Sequence, residues 1–332
     1  MAVDWQPLRD LVAKAHRFLL TTHTRPDGDG LGSCKGLAAA LRQLGKEVRI
    51  VIAGHFPERY RFLDPEREIV EFTPELVEEL RHVDAAIVLD TGTWNQLGNL
   101  ADFFRSLPVP KLVIDHHVTQ DDLGAVRIVD VTAEAVGRMA YEAITALGAT
   151  PTPDSANALF TALAMDTGWF RHSNTSPETF RLAAHLVEAG ARPHQLYPLL
   201  FERNSLGRMK LMGCALNRLL LAAGGRIGHS SILKTDYPST GAVPPDSEDL
   251  VNLTLSIIGV EVGLLFMEQP AGGIKISFRS RGGVNVGKIA EFLGGGGHPP
   301  AAGAIVQASL EEVREQVLKL VEEVLPPLAP GP

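Results

Sequence analysis

Six side chains in this sequence have the types and spacing to hold two divalent ions: His23, Asp27, Asp29, Asp90, His116 and Asp166. They fall in four segments: His23-x-x-x-Asp27-x-Asp29, Asp90, Asp115-His116-His117, and Asp166. Two carboxylates held close together, as in Asp27-x-Asp29, repel strongly unless a cation lies between them. A shell mixing carboxylate oxygen and imidazole nitrogen favours Mn²⁺ or a similar ion, with Mg²⁺ and Co²⁺ also admitted. An all-oxygen shell would favour Ca²⁺, and thiolates would favour Zn²⁺. Two such ions, about 3.5–4 Å apart, can clamp a phosphoryl group and lower the pKa of a bridging water. Asp90 is the expected bridge between the ions, and His116 and Asp166 are expected to complete the second site. Asp115 is expected to orient His117 instead of touching metal. Asp166 ends a helix-like segment, where the helix dipole disfavours a carboxylate; a nearby cation would offset this. Taken singly, each residue has an ordinary role. Asp-x-Asp is common in solvated turns, and a lone histidine at a strand end is more often structural. The joint placement carries the reading.

The ligands follow short apolar runs. Residues 17–23 read as a strand feeding His23, and a helix over 31–44 stops at Gly45. Further strands are expected at 47–53, 84–89, 111–114 and 126–129, and helices at 133–147, 153–165 and 177–188. The continuous apolar character of the strands fits a parallel sheet covered on both faces. The alternation predicts an α/β fold: a doubly wound, mostly parallel sheet over residues 1–190. Such sheets bind ligands at the carboxyl ends of their strands. A helical linker is expected over 191–224 and a smaller α/β substrate-binding domain over 225–326. That domain reads as a strand at 227–233, a helix at 247–257, and a strand pair at 260–268 and 273–281. Gln269-Pro270-Ala271-Gly272 supplies the turn of the pair. Helices follow at 286–293 and 309–325, and 327–332 is a proline-rich tail.

Composition narrows the function classes. A net charge of −8 over 332 residues excludes a protein gripping long duplex nucleic acid, which needs a broad basic face. It admits a short anionic substrate held by a few cations and metal ions. Cys34 and Cys214 are too few for a disulfide framework and are expected to be buried thiols. The apolar stretch 253–267 is too short and broken to span a bilayer, and residues 1–20 do not read as a signal peptide. A cytoplasmic, reducing location is the expectation.

Thr22-His23-Thr24-Arg25-Pro26-Asp27-Gly28-Asp29, Asp90-Thr91, Asp115-His116-His117 and Asp166-Thr167-Gly168 together resemble, in order, the four motifs of the DHH phosphoesterase superfamily. The stretch Gly294-Gly295-Gly296-Gly297-His298-Pro299-Pro300-Ala301-Ala302-Gly303 resembles the signature of the DHH-associated substrate domain. The resemblance covers nearly the whole chain and is strongest to the nanoRNase and pAp-phosphatase type. It implies that His23, Asp27 and Asp90 hold one Mn²⁺. Asp29, Asp90, His116 and Asp166 would hold the other, with His117 at the scissile phosphate. It also implies substrate contacts on the second domain, where Arg279, Ser280, Arg281, Asn285, Gly295, Gly296, Gly297 and His298 are the candidates. Arginine offers planar donors to phosphate or a base, and glycine lets backbone N–H groups approach a phosphate. By itself a four-glycine run is more often a flexible loop. Lys288, Arg171 and His172 lie near these segments in sequence.

The implied activity is hydrolysis of very short oligoribonucleotides to nucleoside 5′-monophosphates, together with conversion of pAp to AMP. The alternative is a cyclic or linear dinucleotide phosphodiesterase, which would share every catalytic residue. Three readings rank behind these. An exonuclease on long single strands needs an extended basic channel with stacking platforms. Family II inorganic pyrophosphatases carry a different C-terminal domain, and a non-catalytic nucleotide sensor would have lost a ligand. The expected partner is short RNA, a dinucleotide or a nucleoside bisphosphate, with no membrane. Monomer and homodimer are both open.

Overall fold

The computed structural model describes residues 3–327; the tail expected over 327–332 lies, from 328 onward, outside them. The chain divides into two units between Arg203 and Asn204, inside the stretch expected to be a linker.

The first unit is built on six strands: β1 (Arg17–Thr21), β2 (Glu47–Ile52), β3 (Ile69–Glu71), β4 (Ala85–Leu89), β5 (Lys111–Asp115) and β6 (Val126–Val129). Their order is β3-β2-β1-β4-β5-β6 and every pairing is parallel. The short edge strand β3 lies in a stretch where the sequence pattern gave no strand. Eight helices accompany the sheet: α1 (Gln6–Lys14), α2 (Gly28–Gln43), α3 (Val77–Leu80), α4 (Ala101–Ser106), α5 (Val136–Ala146), α6 (Pro153–Asp166), α7 (Pro177–Glu188) and α8 (Pro193–Phe201). On one face, Leu20, Ile50, Ile87 and Ile114 pack with Leu31 and Leu37 of α2, Met139 of α5 and Leu159 of α6. On the other, Leu19, Val51, Val88 and Val113 pack with Leu97, Leu100, Phe103 and Phe104. Burial on both faces is why these strands read as unbroken apolar runs. The strand order reverses at β1, which pairs with both β2 and β4. Folds of this kind open a ligand crevice at that reversal, outside the carboxyl ends of the strands.

The second unit has β7 (Leu220–Ala222), β8 (Ile227–Ile232), β9 (Val262–Glu268), β10 (Ile274–Ser280), β11 (Gly296–His298) and β12 (Ala301–Val306). They run in the order β11-β12-β10-β9-β8-β7. Only β8 and β9 pair in parallel; the other pairings are antiparallel. Its helices are α9 (Leu206–Asn217), α10 (Asp236–Thr240), α11 (Asn252–Leu255), α12 (Val286–Phe292) and α13 (Leu310–Val324). The stripe Val313, Val317 and Val321 of α13 joins Ile227, Val262, Phe266 and Ile276 in one core, as its helical spacing requires.

One expectation about this unit needs correction. The helix expected over 247–257 is reduced to a 3₁₀ turn, Pro244–Ser247, and the single turn α11. Asp249 interrupts it with a left-handed φ of 62°, a conformation no continuing helix admits. The glycine run, a substrate-contact candidate, is in part a strand. Gly296–His298 forms the edge strand β11 against β12.

Candidate active site

Parallel strands deliver their following residues to one edge of the sheet. His23 comes just after β1, Asp90 directly after β4, and Asp115–His117 ends and follows β5. Asp27 is the N-cap of α2, accepting from the N–H groups of Asp29 (2.9 Å) and Gly30 (3.1 Å). A carboxylate cap there also meets the positive end of the helix dipole. Asp29 lies in the first turn of α2, and Asp166 is the last residue of α6. The two helices run antiparallel in close contact, so these ends coincide. Gly32 allows the approach, since a Cβ there would collide with the carbonyl oxygen of Ala158.

Asp90 occupies the centre. Its Oδ2 lies 3.4 Å from His23 Nε2, and its Oδ1 lies 3.7 Å from His116 Nε2. His23 Nε2 is also 3.6 Å from Asp27 Oδ1, and His116 Nε2 is 3.4 Å from Asp166 Oδ2. Donor atoms of His23, Asp27 and Asp90 fall within 4.8 Å of one another, as do those of Asp29, His116 and Asp166. Asp90 therefore sits between two clusters. Its backbone is left-handed, at φ 65°, a conformation that costs about 1–3 kcal/mol and persists where the surroundings impose it. Its N–H still donates to Ile114 O at 3.0 Å, continuing the ladder with β5.

Hydrogen bonds set the ring orientations. His116 Nδ1 lies 2.9 Å from Ala133 O. A carbonyl can only accept, so Nδ1 carries a proton and Nε2 is the nitrogen turned toward the carboxylates. His117 Nδ1 lies 2.8 Å from Asp115 Oδ1. Asp115 is fully buried and also accepts from the N–H groups of His116 (2.8 Å) and His117 (3.2 Å) and from the Gln120 side chain. Asp29, likewise fully buried, accepts from Val136 N–H (2.7 Å), Gly137 N–H (2.8 Å) and Ser33 Oγ (3.3 Å).

Burial and mutual repulsion set the electrostatics of the site. Burial, together with the neighbouring carboxylates, pushes Asp29 well above the usual range and Asp166 up to about 7. Burial raises Asp90 as well, against the pull of His23. Burial opposes a charge on His23, yet its interactions with Asp27 and Asp90 outweigh this and push it up to about 10. Asp115 holds His117 above the ordinary histidine value, against partial burial. Among the described residues, the ion pairs of Asp27, Asp90 and Asp166 are all with histidine. Crowded carboxylates without lysine or arginine, beside imidazoles whose Nε2 atoms face them, fit divalent cations of the Mn²⁺ kind, which would take the place of the proton on His23.

Sequence reasoning did not single out Val136, Gly137 or Ala133, which act through backbone atoms and leave no side-chain signal. It also passed over Gln120. Its position three residues beyond His117 was the available clue.

In the second unit, Arg279 on β10 and His298 on β11 both pair across to Ala301 of β12, so they share one sheet face. Gly296, Gly303 and Ser277 occupy the same face by register. Arg279 donates to the carbonyl of its own neighbour Phe278 at 3.1 Å and lies 3.5 Å from Asp249. Arg281 instead donates to the carbonyls of Val260 and Leu255. Ser280 Oγ accepts from Gly282 and Val284 N–H, and Asn285 caps α12 through Lys288 N–H. Gly295 and Gly297 leave room for Gly303 and Ala302, against which a Cβ would clash.

Residues 17–165 match the DHH family, N-terminal domain, and residues 233–326 match the DHHA1 domain. The chain is 34% identical to the bifunctional oligoribonuclease and PAP phosphatase NrnA of Thermus thermophilus, over 97% of this chain and 95% of that protein. It is 29% identical to the protein of the same name from Bacillus subtilis, over 87% and 89% of the two chains. An exopolyphosphatase-related protein from Bacteroides fragilis, 25% identical, superposes with a TM-score of 0.87 over 96% of each chain. The cyclic-di-AMP phosphodiesterase GdpP of Geobacillus thermodenitrificans is 26% identical over 95% of this chain but 49% of its own length. The chain belongs to the DHH family of phosphoesterases, as an N-terminal DHH domain followed by a DHHA1 domain.

Proposed function

We propose that this DHH-family chain is a two-metal phosphoesterase that hydrolyses very short oligoribonucleotides to nucleoside 5′-monophosphates and removes the 3′-phosphate from pAp. The observation that carries the reading is Asp90, whose two carboxylate oxygens face His23 and His116 separately. His23, Asp27 and Asp90 would hold one ion; Asp29, Asp90, His116 and Asp166 would hold the other, with Mn²⁺ the favoured metal. When bound, such ions polarise the phosphoryl group and make water a stronger nucleophile.

The chain's own residues supply orientation and protons. The Asp115 carboxylate fixes the His117 ring through Nδ1 and favours its protonated form. The side chain of His117 is 56% exposed, so its Nε2–H is available to the phosphate and then to the leaving oxygen as general acid. In the second unit, Arg279 and His298 flank a floor of glycine, alanine and serine, which suits the phosphate and flat base of one nucleotide. Ser280, Arg281, Asn285, Gly295 and Gly297 shape that floor through backbone contacts. The named activities of the Thermus thermophilus and Bacillus subtilis relatives support this substrate class, and a cytoplasmic location is part of this reading. The likeness to a cyclic-di-AMP phosphodiesterase favours one second reading, cleavage of cyclic or linear dinucleotides.

The test is a Mn²⁺-supported turnover panel of di- to penta-ribonucleotides, a 24-residue RNA, pAp, pApA and cyclic-di-AMP. Mononucleotides are expected from the short RNAs at least about tenfold faster than from the long one, which corresponds to about 1.4 kcal/mol. Equal rates on the long strand would defeat the short-substrate reading. Exclusive turnover of dinucleotides would establish the second one.

A further inference from the structure

The segment from Asp130 to Gly137, which leaves β6 and enters the first turn of α5, reaches two ligand segments directly through its backbone and a third through the Asn174 side chain. Ala133 O accepts from His116 Nδ1 at 2.9 Å. Val136 and Gly137 N–H donate to Asp29 at 2.7 and 2.8 Å. Asn174 Nδ2 lies 3.2 Å from both Glu134 O and the backbone O of Asp166. The contacts to His116 and Asp29 come from main-chain atoms, so the path of this segment into α5 decides where they point; the link to Asp166 runs through the Asn174 side chain.

Arg138, in the first turn of α5, grips that conformation. Its guanidinium lies 2.6 Å from the Asp130 carboxylate, 2.9 Å from Glu134 and 3.0 Å from Glu142. None of these four side chains is more than a third exposed, and Glu134 is 6% exposed. Asp130 N–H in turn donates to Asp115 O at 3.0 Å, so the grip extends to the end of β5. Exposed pairs contribute little, but removing this guanidinium would leave Glu134 buried with no cationic partner, which forces the turn to rearrange.

We propose that Arg138 is a positioning residue for the two-ion centre, locking the 130–137 turn that orients Asp29, His116 and Asp166. The inference rests on the two-metal reading. Groups that orient metal ligands from outside typically change metal affinity 10–100-fold when removed.

The experiment is a Mn²⁺ titration followed by electron paramagnetic resonance, with metal-free thermal unfolding in parallel. It uses the full-length protein and the variants Arg138→Ala, Asp130→Asn and Arg218→Ala. Arg218 pairs with Asp236 in the second unit and controls for loss of an ion pair as such. About 10–100-fold weaker Mn²⁺ binding is expected for Arg138→Ala, a smaller loss for Asp130→Asn, and none for Arg218→Ala. Unchanged affinity in folded Arg138→Ala would overturn the inference, and so would an equal loss in Arg218→Ala. If Arg138→Ala does not fold, Asp130→Asn decides by the same criterion, since it removes one arm only. A wild-type protein that binds no Mn²⁺ would instead overturn the two-metal reading, and this inference with it.

Discussion

Asp90→Asn separates a metal-bridging carboxylate from a structural one, because the two roles give opposite signs. Asparagine keeps the side-chain shape and tolerates the left-handed φ of 65° about as well as aspartate, so the backbone is undisturbed; alanine would add strain. Two effects compete in the metal-free protein. The carboxylate lies 3.4 Å from His23 Nε2, where a unit charge pair at an effective dielectric of about 20 interacts by roughly 5 kcal/mol. Against this stand full burial and the nearby carboxylates, and their net result is a raised Asp90. The charge is a burden without metal, so Asp90→Asn is expected to leave the metal-free melting temperature unchanged or higher. With Mn²⁺ at about 100 times its Kd, one bound ion stabilises the wild type by about 2.7 kcal/mol. For a unit of about 200 residues this raises Tm by roughly 5–11 °C. In Asp90→Asn the Mn²⁺ shift is expected to fall below about 2 °C. Turnover of a diribonucleotide is expected to drop at least about 10³-fold, equivalent to about 4 kcal/mol. The assay is differential scanning fluorimetry with and without Mn²⁺, alongside initial rates. A variant that melts several degrees lower without metal, yet keeps the full Mn²⁺ shift and most of its turnover, would refute the bridging role.

Further outcomes follow from the geometry. His117→Gln is expected to lower kcat about 10²–10⁴-fold while Mn²⁺ binding stays near the wild-type value, measured by the same titration. Arg279→Ala is expected to raise KM for short RNA with little change in unfolding, because its guanidinium reaches only the adjacent Phe278 carbonyl and, at 3.5 Å, Asp249; Arg281→Ala is expected to lower Tm, because two carbonyls distant in the chain lose their donor. Gly296→Ala, where no atom lies within 4 Å of the new Cβ, is expected to change stability by less than about 0.5 kcal/mol, whereas Gly295→Ala, which meets the Gly303 carbonyl, should cost about 2 kcal/mol or more in a denaturant titration.

Much of the first unit was legible because its signals are local. The apolar runs ending before His23, Asp90 and Asp115 are buried on both faces, and each run matches its strand to within two residues. The helices expected at 177–188 and 309–325 match α7 and α13 to within one residue at each end, because their apolar spacing is local. The second unit was harder. Asp249 interrupts an apparently helical pattern with a backbone conformation that residue type does not announce. The glycine run becomes a strand only because β12 offers a partner for its backbone. Among the substrate candidates, residue type could not distinguish Arg279 from Arg281, since the difference lies in which carbonyls each guanidinium reaches.

The sequence by itself determined which side chains can bind metal, and their motif order pointed to the family, because ligand chemistry belongs to the residues and their spacing to local turns. Tertiary structure decided how the ligands group. It placed Asp90 between two clusters, joined the start of α2 to the end of α6, and gave His116 its tautomer through Ala133. These outcomes depend on backbone groups far apart in the chain, and hydrogen bonds and close packing between such groups leave no mark in residue type.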